Sequence, residues 1–151
     1  MSEVTSVIET ASAEDALYVY EEWHRAATSS DVEALVDLYA DDAVMETYMA
    51  VLLLKQDSGL LPGKSEIRRF LEANFATRES VMDLGDVKFY RTGYLFDGHT
   101  LAWEYLRDTP NGDSHEMSEV LELSGRKIIK HRIYFGWHGL SAGQRLQNQG
   151  K

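Results

Sequence analysis

The chain has 151 residues, of which 44% are apolar and 26% charged, the size and makeup of one compact domain with a core, for which two domains would be a stretch. Fifteen basic against twenty-five acidic residues give a formal charge of −10, so the surface repels phosphate backbones and anionic lipid, and neither nucleic acid nor membrane is an expected partner. The absence of cysteine removes disulfides, thiol catalysis and cysteine-bound metal, and fits a cytoplasmic protein.

The opening MSEVTSVIETA, residues 1–11, has no basic start followed by an apolar run and is expected to be a loose tail rather than a signal peptide. Ser12 stands three residues before Asp15, a capping-box-like helix start with Asp in the place of Glu or Gln. Leu17, Tyr20, Trp23, His24 and Ala27 then recur at helical spacing and form one apolar face. Asp31 caps a second short helix with Val32, Leu35, Val36 and Tyr39 inward, and Asp41 and Asp42 read as the turn that ends it. The stretch AVMETYMAVLLL predicts a short strand running into an irregular or helical excursion, broken by Gly59, Pro62 and Gly63. Its longest apolar run, MAVLLL, is far too short to span a membrane. SEIRRFLEANFATRE predicts a third helix with Ile67, Phe70, Leu71, Asn74 and Phe75 on one side.

After Asp83 the apolar period falls to two, and VKFYRTGYLF, HTLAWEYLRD, HEMSEVLEL and KIIKHRIYFGW read as four strands, the last three separated by DG, TPNGDS and SGRK. Helices followed by a meander predict an α+β fold: a curved antiparallel sheet wrapped around three N-terminal helices. The domain is expected to run over residues 12–140, with 141–151, SAGQRLQNQGK, as a second loose tail.

Parity in the last hairpin locates the polar groups. Met117, Leu121, Leu123, Ile129, Ile133, Phe135 and Trp137 hold odd positions, while Glu116, Ser118, Glu122, Lys130 and Arg132 hold even ones, so the odd face is the buried one. His115, Glu119 and His131 are also odd. They point inward with the apolar residues provided an odd-length turn or a bulge keeps both strands in phase. With Leu121 opposite His131, Glu119 lies diagonal to it, near enough for a hydrogen bond. The likeness of His115-Glu116 and Glu119 to a zinc-protease motif fails, because that motif needs a second His one helical turn away. A buried carboxylate beside a buried imidazole suits either general acid/base work or a plain structural hydrogen bond, and the residues alone leave both open. The remaining histidines, His99 and His138 included, lack short ligand spacings, and the glycine fingerprints of dinucleotide and phosphate sites are missing. No metal and no cofactor are therefore expected.

The segments YEEWHRAATSSDVEALVDLYADDAVMET, GKSEIRRFLEANF and GRKIIKHRIYFGW resemble the SnoaL-like branch of the nuclear transport factor 2-like superfamily, over roughly residues 14 to 140. The resemblance implies a cone-shaped barrel with an internal pocket, a fold that carries isomerases, hydrolases, cyclases, dehydratases and non-catalytic binding domains. It sets Glu119 where ketosteroid isomerases keep a protonated acid, with Thr47 in place of their base and Trp23 in place of their phenol. It also sets Glu104 and Ile133 at the carboxylates, and Ala102 at the arginine, of the limonene epoxide hydrolase pattern. By this alignment Ala102, Glu104 and Leu106 face the pocket, whereas apolar alternation alone argues for Leu101, Trp103 and Tyr105. With those three on the outer sheet face, a homodimer through that face is expected.

The catalytic candidates are then His131, Glu119 and Glu104. Tyr20, Trp23, Met45, Thr47, Tyr48, His115, Met117, Ile133 and Phe135 are the candidate lining of a pocket for a hydrophobic small molecule. His24 and Arg25 read as surface neighbours on the first helix. The expected function is cofactor-free acid/base chemistry on a hydrophobic carbonyl-containing metabolite, such as a cyclisation, dehydration, isomerisation or hydration. The alternative is a non-catalytic binding or dimerisation domain.

Overall fold

The computed structural model describes residues 8–81, 89–107 and 115–149. Helix α1 (Ala13–Thr28) starts at the expected capping box: Ser12 Oγ accepts the Asp15 backbone N–H at 3.1 Å, and Asp15 Oδ2 accepts that of Ser12 at 2.9 Å. Ala16, Val19, Tyr20, Trp23 and Ala26 form its buried face. Leu17, expected inward, is 43% exposed; the buried stripe runs instead through those residues. Asp31 caps α2 (Val32–Asp37) as expected, accepting the Ala34 N–H.

Strand β1 (Tyr39–Thr47) begins earlier than the sequence suggests and takes in Asp41 and Asp42, which are exposed strand residues rather than a turn. The excursion after it is α3 (Tyr48–Leu54), capped by Thr47, whose hydroxyl accepts the Met49 N–H at 3.3 Å. Gly59 then passes against β1, where an added Cβ would lie 2.7 Å from the Thr47 carbonyl oxygen, so only glycine fits. A short β2 (Leu60–Pro62) and α4 (Lys64–Val81) follow, the latter burying Ile67, Phe70 and Leu71. Among the described residues four helices, not three, thus precede the meander β3 (Phe89–Phe96), β4 (Thr100–Arg107), β5 (His115–Ser124) and β6 (Lys127–Phe135). The TPNGDS turn lies outside the described residues.

The six strands lie in the order β2-β1-β6-β5-β4-β3. The sheet is mixed rather than antiparallel, because β6 docks on β1 in the same direction, and it is a curved, unclosed sheet rather than a complete barrel. The stretch expected as a C-terminal tail forms a helix, α5 (Trp137–Gln149). It comes close to α3: a Cβ at Gly143 would meet Leu52 Cδ1 at 2.7 Å. On the N-terminal side, Ala11 is buried and the Glu9 N–H donates to Ser124 Oγ at 2.8 Å, so the domain takes in residues assigned to the first tail.

Parity in the β5–β6 hairpin is kept by a bulge. The turn itself is two residues, with Ser124 paired to Lys127, and alone it would set the strands out of phase. Between Leu123↔Ile128 and Glu122↔Lys130 the register skips Ile129, and beyond that extra residue odd positions face odd positions. The bulge corrects one expectation: Ile128, not Ile129, is fully buried. Ile128→Ala is expected to lower the unfolding free energy by about 2–5 kcal/mol and Ile129→Ala by clearly less, as read from urea denaturation midpoints; equal losses would contradict the bulge.

Candidate functional site

Strands β4, β5 and β6 each send one hydrogen-bonding side chain to the helix-covered face at the same level. Trp103 stands opposite Glu119, and Glu119 is diagonal to His131, which pairs with Leu121 as expected. Glu119 is 2% and His131 0% exposed. His131 Nε2 lies 3.1 Å from Glu119 Oε1, and Trp103 Nε1–H donates to Glu119 Oε2 at 2.8 Å. The other imidazole nitrogen, Nδ1, lies 2.7 Å from the hydroxyl of Tyr39, the first residue of β1. From α1, the Trp23 ring stands edge-on to the imidazole with centroids 5.1 Å apart.

These contacts have a consistent direction. With Glu119 ionised and the imidazole neutral, Tyr39 O–H donates to Nδ1, Nε2–H donates to Oε1, and Trp103 N–H donates to Oε2, so the one buried charge has a donor on each oxygen. Moving both relay protons one place towards the acid would leave the charge on Tyr39 instead. That transfer is opposed because a phenol is by nature a far weaker acid than a carboxyl, and burial pushes the Tyr39 phenol well above its ordinary value.

A second pair sits nearer the surface. His24 Nδ1 lies 2.6 Å from the Tyr20 carbonyl oxygen, which can only accept, so Nδ1 carries a hydrogen. In the neutral ring Nε2 then accepts the Tyr105 O–H at 2.8 Å. Both residues are half-buried. Burial first, and the Glu119 charge second, raise the Tyr105 phenol and keep it protonated. Trp103 joins the two clusters: its N–H holds Glu119 while its ring lies 5.0 Å from that of His24.

The structure therefore brings Glu119 and His131 together and separates Glu104 from them. Glu104 is exposed on the opposite face, whereas Leu101 and Trp103 are buried and Tyr105 half-buried inside. The facing taken from the family alignment is corrected, and apolar alternation along β4 gives the right one. With those residues inside, the aromatic argument for a dimer through the outer face no longer applies. Tyr20, Trp23 and Met45 surround the pair, with Met45 beside His131 in the β1–β6 register. Met117 is half-buried opposite Phe135. His115 begins β5, but its side chain lies outside the described residues.

Thr47, Tyr48, Ile133 and Phe135 fall elsewhere. With Glu46, Arg132, Tyr134 and Leu140 they line a cleft of about 240 Å³ at the end of β1 and β6. Ile133 links the two regions, because it lines the cleft and stands directly opposite Glu119. Among the described residues no group of three or more His, Asp or Glu is placed to hold a metal.

Tyr39, Trp103, Tyr105 and His24 were not among the sequence candidates. The alternation in LAWEY carries the signal for Trp103 and Tyr105, and the i, i+4 spacing of Tyr20 and His24 on α1 carries that for His24. Tyr39 has none, since a core tyrosine and a relay tyrosine read alike.

No family model matches the sequence, and no curated protein matches it. Solved structures do. A SnoaL-like protein of unknown function from Burkholderia thailandensis is 23% identical over 85% of this chain and 100% of its own, with a TM-score of 0.63. A candidate ketosteroid isomerase from Kribbella flavida is 18% identical over 82% of this chain and 79% of its own (TM-score 0.55). A candidate polyketide cyclase from Sinorhizobium meliloti is 16% identical over 77% and 93% (TM-score 0.53). The chain has the nuclear transport factor 2-like cone fold. No helix among the described residues is long and apolar enough to cross a membrane.

Two outcomes follow from the buried network. Trp103→Phe, which removes one donor from a buried carboxylate, should lower stability by about 1.5–3 kcal/mol in chemical denaturation at neutral pH. Tyr39 and Tyr105 have phenols raised above the ordinary value of 10.0, so the folded state holds their protons when the unfolded chain releases them. Stability is fully present below that value and falls as pH rises through it. Phenolate absorbance should show these two titrating only as the protein unfolds, and the Tyr39→Phe, Tyr105→Phe double variant should have a flatter alkaline limb.

Proposed function

We propose that this chain is a small SnoaL-like enzyme that moves protons on a hydrophobic carbonyl-containing metabolite, in a cyclisation, dehydration, isomerisation or hydration, without metal or organic cofactor. One observation carries the reading: a hydrogen-bonded relay, Tyr39–His131–Glu119–Trp103, buried in an aromatic core and joined through Trp103 to the half-buried His24–Tyr105 pair. Burying a charge costs several kcal/mol, and an apolar trio at positions 103, 119 and 131 would pack the same space. The candidate isomerase and cyclase among the structures of this fold support the same class of chemistry.

The roles divide by accessibility. Glu119 and His131, sealed in the core, act as positioning residues that hold Trp103 and keep Tyr105 a phenol. Tyr105, half-buried, is the group that meets the substrate. With His24 neutral, Tyr105 can take a proton from the substrate as its own hydroxyl proton passes to His24 Nε2; with that proton on Nε2, the reverse step protonates the product. The balance is one proton in and one out, with the Tyr105 hydroxyl hydrogen committed to His24 Nε2 throughout the step.

A second reading, a binding domain without chemistry, is favoured by the full sealing of Glu119 and His131. The two are separated by following α-proton exchange and turnover of a panel of polycyclic ketones in D₂O. Tyr105→Phe should lower kcat/KM by about 10²–10⁴, while Glu119→Gln should shift the pH profile more than KM. Ligands recovered unaltered by the wild type, or turnover indifferent to Tyr105→Phe and to His24→Gln in folded protein, would leave the binding reading in its place.

A further inference from the structure

The cleft at the end of β1 and β6 is made by a parting of strands. The two run parallel and in register as far as Thr47↔Ile133. Tyr48 then starts α3, so Tyr134 and Phe135 of β6 continue beyond the end of β1. After Gly136 the chain turns into α5, which lies against α3 through Gly143, Leu52 and Tyr48 and closes one side. What is left is a slot walled by Ile133, Phe135 and Leu140 and rimmed by Tyr48 and Tyr134, the latter 55% exposed. At about 240 Å³ it falls below the roughly 300–1,000 Å³ that takes drug-sized ligands, so its occupant is small.

Two charged side chains line the slot, and they are not equivalent. Arg132 Nη1 donates to Glu122 Oε2 at 2.9 Å, so its charge is already matched from β5. Glu46, the partner of Arg132 in the β1–β6 register, is exposed, and among the described residues it has no ion pair or side-chain hydrogen bond. The slot therefore carries one unmatched negative charge next to three aromatic rings, Tyr48, Tyr134 and Phe135, in a protein of formal charge −10. A carboxylate beside ring faces attracts an organic cation, by Coulomb attraction at the acid and by the ring quadrupoles. A carboxylate ligand would meet the unmatched Glu46 and would have to share Arg132 with Glu122, which already holds its Nη1.

We propose that this cleft is a binding site for a small organic ammonium ion with an apolar body, Glu46 taking the charge and Tyr48, Tyr134 and Phe135 the body. The site stands apart from the proton relay, and the inference does not depend on the acid/base reading.

The test is calorimetric titration of the whole chain at low salt with three probes of one shape: 2-phenylethylammonium, 2-phenylethanol and 3-phenylpropionate. The ammonium should bind about tenfold or more tighter than the alcohol, and the propionate should give no binding. Glu46→Gln, at an exposed position, should bring the ammonium down to the level of the alcohol, and Tyr134→Phe should keep the preference that Tyr134→Ala weakens. Added salt should weaken the ammonium alone. Equal affinity for ammonium and alcohol, an ammonium affinity indifferent to Glu46→Gln, or a preference for the propionate would each overturn the proposal. Because Glu46 takes no part in the relay, failure here leaves the turnover experiments unaffected, and their failure leaves this result standing.

Discussion

A carboxylate in the middle of an aromatic core is tolerable only if both of its oxygens are met by donors. For Glu119 the donors come from the two neighbouring strands, the indole of Trp103 on β4 and the imidazole of His131 on β6. Three strands must therefore present odd positions to the same face at the same level. The two-residue turn at Gly125 and Arg126 opposes this, and the bulge at Ile129 restores it. Removing the bulge would turn either Glu119 or His131 out to water and strand its partner.

From that carboxylate the rest of the site follows. An ionised Glu119 requires hydrogen on the imidazole Nε2, and in the neutral ring Nδ1 then accepts from Tyr39 at the start of β1. Trp23 stands edge-on to that ring, so α1 meets the relay there. The same charge reaches the Tyr105 phenol and helps burial to keep it protonated. Trp103 serves both clusters at once, so the packing of α1 through Tyr20, Trp23 and His24 and the proton state of the inner and outer tyrosines are set by one constellation.

Legibility in the sequence tracks how local each cause is. Whereas the alternation in the last hairpin breaks at the Ile129 bulge and at Trp137, expected inward but 69% exposed at the start of α5, the capping box at Ser12 and the Asp31 cap are short-range patterns and each is realised. The inward turn of Glu119 and His131 is legible for the same reason. Strand β4 shows the opposite case: LAWEY alternates plainly, and the distant family alignment that places Glu104 inside is overruled by the gain from burying Leu101 and Trp103. The parallel docking of β6 on β1 is set by long-range packing that no window of residues contains. Helix α5 is hidden because it is polar and glycine-bearing, and its close approach to α3 at Gly143 and Leu52 is a long-range contact that no local pattern announces.

Ile133 is where the two chemistries of the molecule come nearest. It stands across the β5–β6 ladder from Glu119 and also walls the outer cleft, while its strand neighbours Arg132 and Tyr134 line that cleft beside it. Backbone partners of this kind carry side chains about 5 Å apart, so Ile133 lies between Glu119 and the cleft, while Glu46, exposed beside Arg132, stands on the other face of the sheet from the buried carboxylate. An apolar, β-branched residue suits that position on physical grounds. A polar side chain there would offer Glu119 a third partner and draw water into the relay, and a small one would join the cleft to the core. The separation lets Glu46 recognise charge at the surface without disturbing the proton positions that Trp103 and His131 hold inside.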